Sequence, residues 1–156
     1  MRVEGRKSDV RELVKSLDYK SDTYNFYKVF NHMTLEEFED EVELYSDGED
    51  IIIEFDGHCG NSVKYAMFNN KHTSILDIAR KLKLDIEIIS EELGVNFTEH
   101  ILIRDGEIEF DTREDFLTTE ELEQYISEDN MEVYEKRCIE VYRFILEDSV
   151  KHGGVA

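Results

Sequence analysis

Residues 84–111 read LDIEIISEELGVNFTEHILIRDGEIEFD, and their pattern decides the fold. Ile86-Glu87-Ile88-Ile89 is a strand-like run, and Glu91-Glu92-Leu93-Gly94 ends it in a turn. Phe97 to Ile103 is a second strand, Asp105-Gly106 turns the chain, and Ile108-Glu109-Phe110 returns it. An Asp-Gly pair accepts the positive φ angles of a tight hairpin. Three strands joined this closely form an antiparallel meander.

Working outward, residues 73–83 predict a helix. Thr73 or Ser74 caps it, and Ile75, Leu76, Ala79 and Leu82 share one face. Before it, Glu41-Val42-Glu43-Leu44-Tyr45 alternates like a half-buried strand. Asp47-Gly48-Glu49-Asp50 would turn that strand into a partner, Ile51 to Phe55. Thr34 with Glu37 is a capping box and Met33 with Phe38 a hydrophobic staple, so a short helix precedes it. Residues 19–33 are aromatic and irregular (Tyr19, Tyr24, Phe26, Tyr27, Phe30) and read as a loop or broken helix. The chain opens with a short strand at 1–4. A helix follows, capped by Ser8, with Val10, Leu13, Val14 and Leu17 at helical spacing.

Downstream, Thr118 with Glu121 makes another capping box, stapled by Leu117 and Leu122. Asp129 is placed to cap a long helix to about Ser149, and residues 153–156 form a frayed tail. The expectation is an α+β protein. Its sheet would be ferredoxin-like and antiparallel, with added meander strands and a helical C-terminus. One domain is expected over 1–152, with the sheet core in 1–112 and the helices in 118–150.

Composition narrows the function. The 156 residues carry 38 Asp+Glu against 18 Lys+Arg, a net charge of −20. Such a charge repels phosphate backbones and anionic lipid, so neither nucleic acid nor a membrane is expected as a direct partner. No apolar run approaches the ~20 residues of a membrane span. Arg2-Val3-Glu4-Gly5 after Met1 does not resemble a signal peptide, and two cysteines make no disulfide framework. A reducing cytoplasm is the expected compartment, the host's if the gene is carried by a phage.

The acidity is clustered. Residues 29–63 contain eleven acids and no Lys or Arg, and residues 105–135 contain thirteen acids against Arg113 alone. Solubility needs net charge but not base-free windows. On strands, Glu41 with Glu43, and Glu107 with Glu109, would line one face each, with carboxylates ~6–7 Å apart. That spacing is close to the repeat of phosphates along a nucleic-acid strand.

The run from Leu84 to Glu92, then Gly94-Val95-Asn96-Phe97 and Asp105-Gly106-Glu107, resembles the YubB-like ferredoxin-like domains of phage and plasmid proteins. Val3-Glu4-Gly5 before the Ser8-Asp9-Val10 helix resembles that family's start. The likeness covers about residues 72–111 and the N-terminal strand and helix. It implies the fold and a mobile-element origin. It carries no catalytic residues. Aromatic and proline landmarks of the family's middle are missing.

Other chemistries find little support. His58 beside Cys59 could pair a base with a thiol, but sequence neighbours rarely reach the geometry required. The His and Cys residues have no zinc-site spacing, and the Asp47 and Asp105 turns do not match a calcium loop. No catalytic residue, metal or cofactor is assigned, and the protein is read as a binder and not an enzyme.

The leading expectation is an acidic inhibitor, similar to anti-CRISPR and anti-restriction mimics. It would occupy the basic nucleic-acid groove of a defence nuclease. Glu36, Glu37, Glu39, Asp40, Glu41, Glu43, Asp47, Glu49 and Asp50 would replace phosphates, with Tyr27 and Tyr45 as anchors. The alternatives are an immunity protein against a nuclease toxin, and a small ligand-binding or enzymatic domain using the His58-Cys59 loop. The 129–149 helix, apolar at Met131, Tyr134, Cys138, Val141 and Ile145, packs on its own sheet or forms a homodimer seam.

Overall fold

The structure is a computed structural model that describes residues 1–17, 29–31, 34–45, 49–59, 62–68, 74–128 and 130–151. For 29–31, 41–45, 59, 145 and 148–151 the backbone alone is described. The elements are β1 (Arg2–Arg6), α1 (Lys7–Leu17), β2 (Val29–Asn31), α2 (Leu35–Tyr45), β3 (Asp50–Glu54) and β4 (Gly57–Cys59). A π-helical turn (Lys64–Phe68), α3 (Ile75–Leu82) and β5 (Asp85–Glu92) follow. A 3-10 turn (Leu93–Val95), β6 (Phe97–Arg104), β7 (Glu107–Glu114), α4 (Thr119–Glu128) and α5 (Met131–Lys151) complete the chain. They divide into two compact units: Met1–Ser90 with Glu99–Arg113, and Glu91–Thr98 with Glu114–Ala156.

The first unit is built on an antiparallel sheet of five strands in the order β3-β1-β5-β6-β7. β1 is central. It pairs antiparallel with β3, Val3 opposite Ile53, and with β5, Val3 opposite Ile86. Both neighbours run against β1, so β3 and β5 are parallel to each other, with α3 in the connection between them. This is a split β-α-β unit with β1 inserted. The 84–111 meander forms as read, and its last hairpin turns on Asp105 (φ 48°) and Gly106 (φ 74°). Two positive φ angles mark a type I′ turn. Gly106 is required twice over, because a Cβ there would also lie 2.7 Å from Arg80 Cγ.

Residues 29–31, expected within a loop or broken helix, form β2, and one predicted strand is wrong. Residues 41–45 are not a strand but the last turns of α2, so no 41–45/51–55 hairpin exists and β3 pairs with β1 instead. The Thr34–Glu37 box nucleates the helix, with reciprocal bonds of 2.8 and 3.1 Å. Leu35, Phe38, Val42 and Tyr45 continue it at spacings of three and four. A five-residue alternation of Glu, Val and Leu is too short to interrupt a helix already nucleated and made largely of good helix formers. Ser8 is also not a cap, since α1 already starts at Lys7.

α1 and α3 pack on one face of the sheet. Val10, Leu13, Val14 and Leu17 of α1 and Ile75, Ile78, Ala79 and Leu82 of α3 are buried, each set following i, i+3, i+4, i+7. They share a core with Val3, Ile51, Ile53, Ile86, Ile88, Ile101 and Ile103 from the strands and Phe38 from α2. Each Leu, Ile or Phe so buried contributes about 2 kcal/mol. Ser74 and Asp77 form the capping box of α3. A two-stranded ribbon pairs β2 with β4, Phe30 opposite His58.

The second unit is organised around Asn96, which adopts a left-handed conformation (φ 49°) after the 3-10 turn. Its amide bonds Leu117 at both ends, donating at 2.9 Å and accepting at 2.8 Å. Arg137 Nε donates to the Phe116 carbonyl at 2.8 Å, which ties α5 to the segment before α4. Phe116 packs at a tilt against Tyr134, ring centroids 5.4 Å apart. The Thr118–Glu121 box caps α4 as read. α5 is capped by Asn130, whose Oδ1 accepts from Glu132 N at 3.2 Å; the expected cap, Asp129, lies outside the described residues.

Candidate functional site

Part of the acidic window of 29–63 lies along one side of α2. Positions 36, 39, 40 and 43 stand at i, i+3, i+4 and i+7 and share a helix face, opposite Phe38. Glu36, Glu37, Glu39 and Asp40 are exposed. Four residues of helix rise about 6 Å, so the carboxylate spacing expected of a strand is kept by a helix instead. Glu41, Glu43 and Tyr45 lie on α2, where only the backbone is described. Tyr27 and Asp47 fall outside the described residues. Glu49 and Asp50 are exposed at the start of β3, with Asp50 opposite Arg6 in register.

Two of the four carboxylates described on α2 have other tasks. Glu37 accepts from the backbone and side chain of Thr34, and these bonds hold its carboxyl below the usual range. Glu39 accepts two bonds from Arg11 of α1, at 2.8 and 2.6 Å. A base more than twenty residues upstream therefore faces a window that is base-free in sequence. Glu36 and Asp40 form no ion pair among the described residues.

In the second acidic window the acids of β7 are met by bases. Glu107 pairs with Arg80 at 3.0 Å, Glu109 with Arg104 at 3.3 Å and Asp111 with Lys64 at 2.6 Å. β7 is thus a row of ion pairs and not a bare ladder of carboxylates. In the second unit, α4 keeps Glu120, Glu123 and Glu128 exposed.

Two carboxylates that sequence reasoning did not single out are buried in the first unit. Glu99 is 1 % exposed; its Oε2 accepts from Val63 N at 2.8 Å and Ser90 Oγ at 3.1 Å. Its Oε1 lies 3.6 Å from Arg113. Glu87 is 4 % exposed, bonded to His100 Nε2 at 2.8 Å, with Arg2 at 3.8 Å. Phe110 sets its ring edge-on to His100, centroids 4.8 Å apart. Among the described residues Glu87 Oε2 and Glu99 Oε1 accept no hydrogen bond. The signal for Glu99 was present: it shares strand parity with Phe97, Ile101 and Ile103.

His58 and Cys59, expected in a loop, form part of β4, with His58 exposed. Among the described residues no three His, Cys, Asp or Glu side chains are grouped to hold a metal ion, and no helix is long and apolar enough to cross a membrane. Cys138, in the second unit, is a free thiol beside Glu91. Burial and then the Glu91 charge push its pKa up, away from the thiolate a nucleophile needs. Comparison of the chain with family models, curated proteins and solved structures returned no match.

Proposed function

We propose that this protein acts by binding, as an acidic inhibitor that occupies the nucleic-acid groove of a basic defence nuclease. The observation that carries the reading is the α2 face. Glu36, Glu39 and Asp40 stand exposed on one rigid helix, and Arg11 is the only described cation paired to them. Carboxylates fixed on a helix need no ordering on binding, which favours rapid, electrostatically steered association with a cationic groove. Glu49, just before β3, Asp50 at its start, Tyr45 of α2, and Tyr27 and Asp47, which lie outside the described residues, belong to the same proposed surface. A mobile-element origin and a ferredoxin-like ancestry are part of the proposal, supported by the YubB-like segments and the split β-α-β unit.

The test is affinity capture from host lysate with a salt-gradient elution, using the native chain and a Glu36→Lys, Glu39→Lys, Asp40→Lys variant. The native chain should retain a nucleic-acid enzyme that elutes steeply with salt and is displaced by an oligonucleotide. The variant should lose that protein while its far-UV circular dichroism is unchanged. Retention of the same partner by the folded variant would remove α2 as the site.

A further inference from the structure

β3 is an outer strand of the five-stranded sheet, and β1 is its only strand partner among the described residues. The phase of that pairing fixes which backbone groups it uses. Phe55 N–H donates to Met1 O and Lys7 N–H to Glu49 O, and the register sets Val3 opposite Ile53 and Gly5 opposite Ile51. In an antiparallel ladder, hydrogen-bonded pairs alternate with non-bonded ones. Residues 49, 51, 53 and 55 therefore bond β1, and Asp50, Ile52 and Glu54 turn both N–H and C=O away from it. Those outward groups form no hydrogen bond among the described residues. The three side chains are exposed, Ile52 by 39 %. An edge in this state is a template for a further strand.

The charges along the edge choose the occupant. Glu49, Asp50, Glu54 and Asp56 are exposed, and the segment 49–56 holds no base. Arg2 lies 3.9 Å from Glu54 but is shared with Glu4 and Glu87, and Arg6, opposite Asp50, forms no ion pair among the described residues. A second copy does not fit. Pairing antiparallel about Ile52 would set Asp50 against the partner's Glu54, twice, and like charges directly opposite destabilise. The other edge, β7, offers no such field, because Glu107, Glu109 and Asp111 are already paired to Arg80, Arg104 and Lys64.

We propose that the β3 edge takes an extended basic segment of a partner protein as a further strand, antiparallel to β3. Directly opposed residues share a sheet face. An apolar residue of the segment therefore faces Ile52, and a Lys or Arg two places to either side faces Asp50 and Glu54. The backbone bonds supply affinity, and the two cations select the sequence. This reading shares Glu49 and Asp50 with the surface proposed above and does not rest on α2.

The experiment is residue-resolved amide hydrogen exchange of the full chain with a synthetic peptide, TKVIVKT, capped at both ends. In the free chain the amides of Ile51 and Ile53 should be protected, and those of Ile52 and Glu54 should exchange freely. The peptide should protect Ile52 and Glu54. Methylating the amide nitrogen of its central isoleucine should abolish that protection, because that N–H faces the Ile52 carbonyl. Methylating the next valine, whose N–H points away, should leave it. The peptide TEVIVET should bind at least about tenfold more weakly, since two attractions become two repulsions. The Glu36→Lys, Glu39→Lys, Asp40→Lys variant should keep the protection, so failure of the α2 reading and failure of this one are told apart. No protection of Ile52 at about 1 mM peptide overturns the proposal. So does protection that the central methyl group leaves intact, or equal binding of TEVIVET.

Discussion

Glu99 is the residue that departs furthest from its surroundings. It occupies a position of β6 whose neighbours of the same parity are Ile101 and Ile103, and it is as buried as they are. A carboxylate there persists because a backbone N–H, a hydroxyl and a guanidinium converge on it. Removing it leaves the Val63 N–H without its acceptor in a dry site. Glu99→Ala should therefore cost about 2 kcal/mol or more in urea unfolding. Glu99→Gln, which keeps an acceptor, should cost less. An alanine variant as stable as the native chain would mean the side chain is solvated after all. Position 99 was legible as an anomaly from strand parity. Its partners were not, since Val63 and Ser90 come from other parts of the chain.

At the scale of elements, the capped helices were the most legible features and the strand at 41–45 the least. Three boxes, at Thr34–Glu37, Ser74–Asp77 and Thr118–Glu121, form with both reciprocal bonds present. All three carboxylates are held below their ordinary pKa by bonds from the cap residue. A carboxylate depressed in the folded state stabilises it above its unfolded pKa and ceases to do so as pH falls through the folded value. For Glu121 the loss begins below its ordinary value of 4.5. Native chain and Glu121→Gln should differ in melting temperature at pH 6, with the native chain higher, and converge in acid. The variant comparison is needed because acidification also relieves the chain's general repulsion. A gap that stays constant down to pH 3 would show that the carboxylate is not the titrating group.

At the scale of the molecule, the question is how a chain at −20 stays folded. The bases are not spread evenly through space. Arg11, Lys64, Arg80 and Arg104 are each set against carboxylates from the acid-rich windows. Each such exposed pair is worth under about 1 kcal/mol alone, but each also removes a repulsion. Among the described residues, α2, α4 and the start of β3 are among the places where exposed acids form no ion pair. Salt should therefore raise the melting temperature between low and physiological ionic strength, since screening weakens long-range repulsion more than contact pairs. A melting temperature that falls with salt would show that the paired charges outweigh the surplus.

What the sequence by itself determined is the local structure: the meander of 84–111, the Asp105-Gly106 turn, the capped starts of α2, α3 and α4, and the apolar stripes of α1 and α3. Those depend on groups within a turn or two of one another, so their chemistry is written in adjacent letters. Only the tertiary structure decided that β1 lies between β3 and β5, that Glu87 and Glu99 are buried, and that β7 is paired to bases while part of α2 is spared. These outcomes depend on which distant segments exclude water from each other and which long side chains reach across. Charge read along a chain counts acids and bases, whereas the field at a surface depends on their distances in space.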